Sequence, residues 1–226
     1  PVQPHMDRHA EPRPALRSLS GAIASALSHR GLQDLLASRD LQAWFQPVLD
    51  LQSGVIVGYE GLIRGPADSP LHAPARLFGE AERLGLVAEA EIATRLVVIH
   101  QFAELSLPGR LYLNVSPASL THPDLRNGET AQMLESVGLA PQQVVIELTE
   151  NKPFFDVDGI MKALLHFREA GFAIAIDDLG AGFSSLRLWS ELLPEYVKVD
   201  MHFVQGVHRD PVKYNFLRSF QDLAAR

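Results

Sequence analysis

The sequence predicts an α/β domain built on a mostly parallel sheet, and three observations predict it. Strand-like and helix-like segments alternate from residue 110 onward, the pattern of successive βα units. Two β-rich runs, 44–51 and 55–62, flank Gln52-Ser53-Gly54, a hairpin signal that sets an antiparallel pair ahead of those units. The strand candidates are apolar until their C-terminal ends, where polar residues gather. Barrel strands that converge on one mouth show that pattern.

The elements follow in order. Residues 1–18 carry Pro1, Pro4, Pro12 and Pro14 among His and Arg and read as a flexible arm. Residues 19–40 hold a leading helix, with Leu19, Ile23, Leu27, Leu32, Leu35 and Leu36 as its apolar stripe and Gly31 as a break. That stripe is too short for a coiled-coil seam, so it is expected to pack on the domain at 41–226. After the hairpin come helices at 74–84 and 87–105. Strand 110–115 leads to a helix near 129–137, and strand 144–148 to a helix near 156–170. Strand 172–177 leads to a short helix near 184–191, and strand 196–199 to a helix from 211 to the end.

Composition narrows the function. The chain has 226 residues, 46% hydrophobic and 21% charged, which excludes wholesale disorder. Lys and Arg number 20 against 27 Asp and Glu, a net charge of −7. No basic surplus is available to neutralise a nucleic-acid polymer. Cysteine is absent, which excludes disulfides, zinc ribbons and thiol nucleophiles. No apolar run reaches membrane-spanning length and no signal-peptide pattern opens the sequence, so a cytoplasmic domain is expected.

The strand ends carry the chemistry. They read Tyr59-Glu60-Gly61-Leu62, Leu113-Asn114-Val115-Ser116, Ile146-Glu147-Leu148-Thr149-Glu150, Ile176-Asp177-Asp178 and Lys198-Val199-Asp200. Period-two alternation puts Tyr112, Asn114 and Ser116 on one face. It does the same for Ala173, Ala175 and Asp177, and for Lys198 and Asp200. The opposite parity, Leu111, Leu113, Val115, Ile174, Ile176, Val197 and Val199, is aliphatic and suited to face helices. Glu60, Asn114, Glu147, Asp177, Asp178 and Lys198 would then share one mouth. Converging carboxylates repel, and burial worsens the repulsion. An all-oxygen set of this kind suits Mg²⁺ or Mn²⁺. Asp177-Asp178 suits two ions a few Å apart, as in phosphoryl displacement. Lys198 would offset charge or help position an attacking water. Lysine on a barrel strand also permits Schiff-base chemistry, as in an aldolase. His72, His122, His166, His202 and His208 lack metal-ligand spacing and read as surface or packing residues. Phe154-Phe155 and Phe216-Leu217-Phe220 read as core or docking residues.

In order and spacing these motifs resemble the EAL-domain family, the cyclic di-GMP phosphodiesterases, over residues 41–226. Phe45-Gln46-Pro47-Val48-Leu49-Asp50 is similar to the family's opening strand. Glu60-Gly61-Leu62 stands at the naming Glu-Ala-Leu, followed by Arg64. Asn114-Val115-Ser116, Glu147-Leu148-Thr149-Glu150, Asp177-Asp178-Leu179-Gly180-Ala181-Gly182-Phe183-Ser184-Ser185-Leu186 and Lys198-Val199-Asp200 match the later motifs.

The resemblance implies a modified (β/α)₈, TIM-like barrel with an antiparallel first strand. It implies hydrolysis of the bacterial second messenger cyclic di-GMP to linear pGpG with two Mg²⁺ or Mn²⁺ ions. By position, Glu60, Asn114, Glu147 and Asp177 resemble ligands of the first metal. Asp177 and Asp178 resemble the bridging or second-metal pair, and Lys198 the residue near the attacking water. Gln46, Leu62 and Arg64 match ligand-contacting positions, and Glu150 the glutamate that supports the loop after the fifth strand. A homodimer and attached GGDEF or other signalling domains are further implications.

Three departures stand out. Gly61 replaces alanine, which adds backbone freedom beside Glu60. Leu179 and Ala181 replace Phe and Thr. The family's seventh and eighth strands, with a glutamate and a glutamine, are not found. Residues 41–226 number about 186, against ~250 for a typical barrel. The expectation is a fragment, or a barrel completed by another segment. The alternative function is a degenerate domain that binds cyclic di-GMP as a receptor without turning it over.

Overall fold

The computed structural model describes residues 31–120, 129–149, 157–180 and 185–225. Strands β1 (Gln42–Leu49), β2 (Ile56–Arg64), β3 (Arg110–Val115), β4 (Val144–Thr149), β5 (Ala173–Leu179) and β6 (Tyr196–Val199) form one six-stranded sheet in sequence order. β1 and β2 pair antiparallel, and every later neighbour pair is parallel. The sheet curls: Tyr112 on β3 meets Tyr196 on β6 with ring centroids 5.8 Å apart. The architecture is a TIM-like barrel, open along one side, with the antiparallel first strand that the sequence led us to expect.

The hairpin shows why β1 stops early. Asp50 opens an Asx-type turn, and its carboxylate accepts from the amides of Gln52 (3.1 Å) and Ser53 (2.6 Å). Gly54 follows with a positive φ of 70°. Leu51, expected in the strand, is therefore in the turn and 97% exposed. The local capping reach of an aspartate decided this boundary over hydrophobicity.

The helices are α1 (31–38), α2 (Pro74–Leu84), α3 (Val87–Glu104), α4 (Pro117–Leu120), α5 (Glu129–Ser136), α6 (Val157–Glu169), α7 (Ser185–Leu192), α8 (Met201–Val204) and α9 (Pro211–Ala224). Proline at N1 starts α2, and Gly85 in the left-handed region ends it. Asp200 caps α8 by accepting from His202 N (2.7 Å), and Asp210 caps α9 by accepting from Val212 N (2.9 Å). Leu32 and Leu36 of α1 are buried in the main core. The arm at 1–18, the first part of the leading helix, His122, Glu150, Phe154, Phe155, Ala181 and Gly182 lie outside the described residues.

Two cores follow from strand parity. Leu111, Leu113, Val115, Ile146, Leu148, Ile174 and Ile176 point to the helices and join the large core. Tyr112, Val145 and Ala175 form a smaller cluster, with Val48, Ala173 and Tyr196 packed against it. This second cluster is the barrel interior. It makes a floor beneath the polar strand ends, which is how a two-faced parallel sheet presents a site.

Away from that mouth a staple ties the fold. The Arg168 guanidinium on α6 donates to Glu195 Oε1 (3.0 Å), Leu192 O (2.7 Å) and Leu193 O (2.6 Å). Glu195 Oε2 accepts from the backbone amide of Ile174 (2.8 Å) at the start of β5.

Candidate metal centre

Strand ends from β2, β4, β5 and β6 bring four charged side chains together. One carboxylate oxygen each from Glu60, Glu147 and Asp177 lies within 4.8 Å of the others. The Lys198 ammonium sits among them, 2.9 Å from Glu60 Oε2, 3.0 Å from Glu147 Oε1 and 3.2 Å from Asp177 Oδ2. Asn114, across the ladder from Glu147, donates through Nδ2 to Glu60 Oε1 (3.0 Å).

Glu147 is the least ordinary of these groups. It is fully buried, and neither carboxylate oxygen has a hydrogen-bond partner among the described residues. The ammonium 3.0 Å from Oε1 faces it as an ion pair and supplies opposite charge. Burial pushes the Glu147 carboxyl up to about 8; Lys198 opposes the rise, and Glu60 and Asp177 add to it. Burial alone would lower the Lys198 ammonium, but Glu147, Asp177 and Glu60 outweigh it and hold it above lysine's ordinary value. A buried carboxylate with orphaned lone pairs, beside two others, fits a hard divalent cation.

Asp178 sits at an irregularity. β5 and β6 slip register between Ile176 and Leu179, and Asp178 adopts a positive φ of 54°. Its amide donates to Asp177 Oδ1 (2.9 Å). Burial raises the Asp178 carboxyl, and Asp177 and Asp200 raise it further, against Lys198. Asp200 was not singled out as a mouth residue, although its parity with Lys198 was a signal for it. It caps α8 and adds negative potential at Asp178.

The expected ligand-contacting residues lie on the hairpin. Gln46 is exposed and pairs with Glu60 across β1 and β2. Leu62 is half-buried and pairs with Trp44. The Arg64 guanidinium stacks on Trp44, 4.8 Å from the ring centroid, and donates to Ile63 O (2.7 Å). None of the three is a partner of the carboxylate group in this structure. His72 packs its ring near Trp44 and pairs Nδ1 with Gly65 O (2.8 Å), which makes it a packing residue.

Gly61 corrects one expectation. It lies in regular strand, paired with Phe45 and Leu113, and its φ is not positive. Backbone freedom is not what glycine supplies here. A Cβ at this position would overlap Cγ1 of Val98 on α3, so close packing is its reason.

Comparison with known proteins places the chain in a family. The EAL domain profile matches residues 29–226. The chain is 31% identical over 186 residues to the probable cyclic di-GMP phosphodiesterase PdeB of Escherichia coli, covering 79% of this chain and 35% of that protein. It is 29% identical to the cyclic di-GMP phosphodiesterase NbdA of Pseudomonas aeruginosa, covering 78% of this chain and 23% of that protein. It thus spans about a quarter to a third of the length of these relatives. Among solved structures, Klebsiella pneumoniae BlrP1 in a manganese and cyclic di-GMP complex superposes with a TM-score of 0.72 at 30% identity, over 82% of this chain and 47% of that one. The Xanthomonas citri FimX EAL domain shares the fold with a TM-score of 0.78 at 18% identity, over 91% and 81% of the two chains. No helix among the described residues is long and apolar enough to cross a membrane. With its profile match, its relatives and its strand-end motifs in register, the chain belongs to the EAL domain family.

Proposed function

We propose that this chain carries the metal-dependent site of a cyclic di-GMP phosphodiesterase that opens the dinucleotide ring to linear pGpG. The observation behind this reading is the convergence of Glu60, Glu147 and Asp177 around Lys198, with the orphaned carboxylate of Glu147 at its base. Names of relatives that include cyclic di-GMP phosphodiesterases support the substrate class.

Glu60, Asn114, Glu147 and Asp177 are the residues suited to hold one Mg²⁺ or Mn²⁺ ion, and Asp177 with Asp178 a second. Bound metal supplies Lewis-acid polarisation of the phosphate and a more acidic water. The chain's own groups do the rest. Asn114 orients Glu60 through its amide hydrogen bond. Lys198, held protonated by its three carboxylates, keeps positive charge where the attacking water and the reacting phosphate meet. The floor of Tyr112, Val145 and Ala175 excludes water beneath the carboxylates. Arg64 is placed two residues beyond Leu62 on β2 and has the fork geometry for a phosphate oxygen. Water adds at one phosphodiester phosphorus, the bond to the ribose 3′ oxygen breaks, and that oxygen leaves as a hydroxyl. The dinucleotide thus stays whole but linear. Glu150 as loop support, a homodimer, attached signalling domains and a cytoplasmic setting belong to the same proposal.

The retained carboxylates favour turnover over a receptor that only binds. Incubating the native full-length protein with cyclic di-GMP and Mn²⁺ tests this. Appearance of pGpG is expected. Ligand binding with no pGpG would select the receptor reading.

A further inference from the structure

We infer that Val98, on the helix behind the sheet, is a positioning residue for Glu60, and that residue 61 is glycine because Val98 occupies the place of its side chain. The inference rests on the reading of Glu60 as a metal ligand.

Gly61 is buried in β2 and laddered on both sides, to Phe45 of β1 and Leu113 of β3. A Cβ there would overlap Val98 Cγ1 and lie 3.4 and 3.5 Å from its Cβ and Cγ2. Val98 is 4% exposed in the core. A β-branched side chain on a helix has one strongly preferred rotamer, so Val98 has little freedom to swing aside.

The helix has little freedom to retreat either. α3 is tied to the strands on both sides of β2. Gln101 Oε1 accepts from Ala43 N (2.8 Å), and Gln101 Nε2 donates to Leu41 O (3.3 Å), at the start of β1. Glu91 Oε2 accepts from Ser116 N (3.3 Å), just past the end of β3. With α3 held and the valine stiff, an added methyl at position 61 moves β2 toward the barrel interior. Glu60 is the next residue. Its carboxylate has a narrow placement, 3.0 Å from Asn114 Nδ2 and 2.9 Å from Lys198 Nζ. The valine and the glycine are therefore complementary, and their contact sets the height of Glu60 in the mouth.

The test is Mn²⁺ binding by calorimetry to the full chain, with thermal midpoints of the metal-free forms. The variants are Gly61→Ala, Val98→Ala and the double substitution. Gly61→Ala is expected to weaken Mn²⁺ binding by about tenfold or more, the usual cost of disturbing the support of a metal ligand. Adding Val98→Ala to that variant is expected to restore most of the affinity, and the midpoints of the four forms are expected to be non-additive. Val98→Ile presses on the same contact without altering β2 and is expected to weaken Mn²⁺ binding too, which keeps a readout if Gly61→Ala does not fold. Wild-type affinity in both Gly61→Ala and Val98→Ile would overturn the inference, as would a double variant as weak as Gly61→Ala. Additive midpoints would overturn the packing complementarity. A wild-type chain that binds no Mn²⁺ would instead overturn the metal reading, and the positioning role with it.

Discussion

Lys198 Nζ lies 2.9 Å from Glu60 Oε2, a contact between β6 and β2 that spans 138 residues of sequence. The same ammonium serves Glu147 and Asp177. In the metal-free protein it is the counter-charge that lets three carboxylates share one site. Lys198→Met is therefore expected to lower metal-free stability by about 2–3 kcal/mol, discounted from the ~3–5 kcal/mol for breaking a buried ion pair because the lysine is partly exposed. Mn²⁺ is expected to return much of that loss. Thermal melts with and without Mn²⁺ check both statements.

Asp177 combines an ion pair to Lys198 with a hydrogen bond from the Asp178 amide. Asp177→Asn keeps the shape and that hydrogen bond but removes the charge. Turnover of cyclic di-GMP by the full-length protein is expected to fall by more than about a hundredfold, beyond the cost of an outer support residue. Affinity for the dinucleotide is expected to survive, because Gln46, Leu62 and Arg64 are untouched. Product chromatography and ligand titration separate the two effects.

Gly180 has a positive φ of 99°, and a Cβ on it would overlap the Phe203 ring. That ring belongs to a cluster with Phe216 and Phe220, at centroid distances of 5.6 and 5.8 Å. Gly180→Ala is thus strained twice, by backbone and by contact. A destabilisation of about 1–2 kcal/mol is expected. Denaturant unfolding measures it.

Glu195 gives a pH signature far from the candidate metal site. Burial would raise its carboxyl, but the Ile174 amide and the Arg168 guanidinium outweigh burial and hold it below the ordinary 4.5. A depressed carboxyl stabilises the fold above its unfolded value, and that stabilisation is lost as pH falls through the folded value. Glu195→Gln is expected to cost about 1 kcal/mol near neutral pH, discounted for partial exposure. The difference from wild type is expected to shrink as the pH falls below 4.5. Melts across that range give the curve.

Much of the site was legible because parallel strands alternate with period two and end at a common mouth. Asn114, Asp177 and Lys198 could be assigned to inner faces by counting alone, and Glu147 was marked by its place at a strand end. The helix bounds were legible where proline and aspartate mark starts, as at Pro74 and Pro211. Other features depend on contacts between distant residues. The staple from Arg168 to Glu195 joins side chains 27 residues apart. The register slip at Asp178 sits in an unbroken β-like run and has no periodic signature. Gly61 was legible as a departure but not as a fit, since Val98 lies 37 positions away on a helix whose apolar residues surround much of its circumference.

The central claim is that Glu60, Glu147 and Asp177 form one divalent-cation site with Lys198 at its edge. Calorimetric titration of Mn²⁺ into the chain, beside Glu147→Gln and Asp177→Asn, tests it most directly. Saturable binding by the wild type that is lost in both variants is the expected result. Binding of equal strength in all three proteins, or none in the wild type, would contradict it.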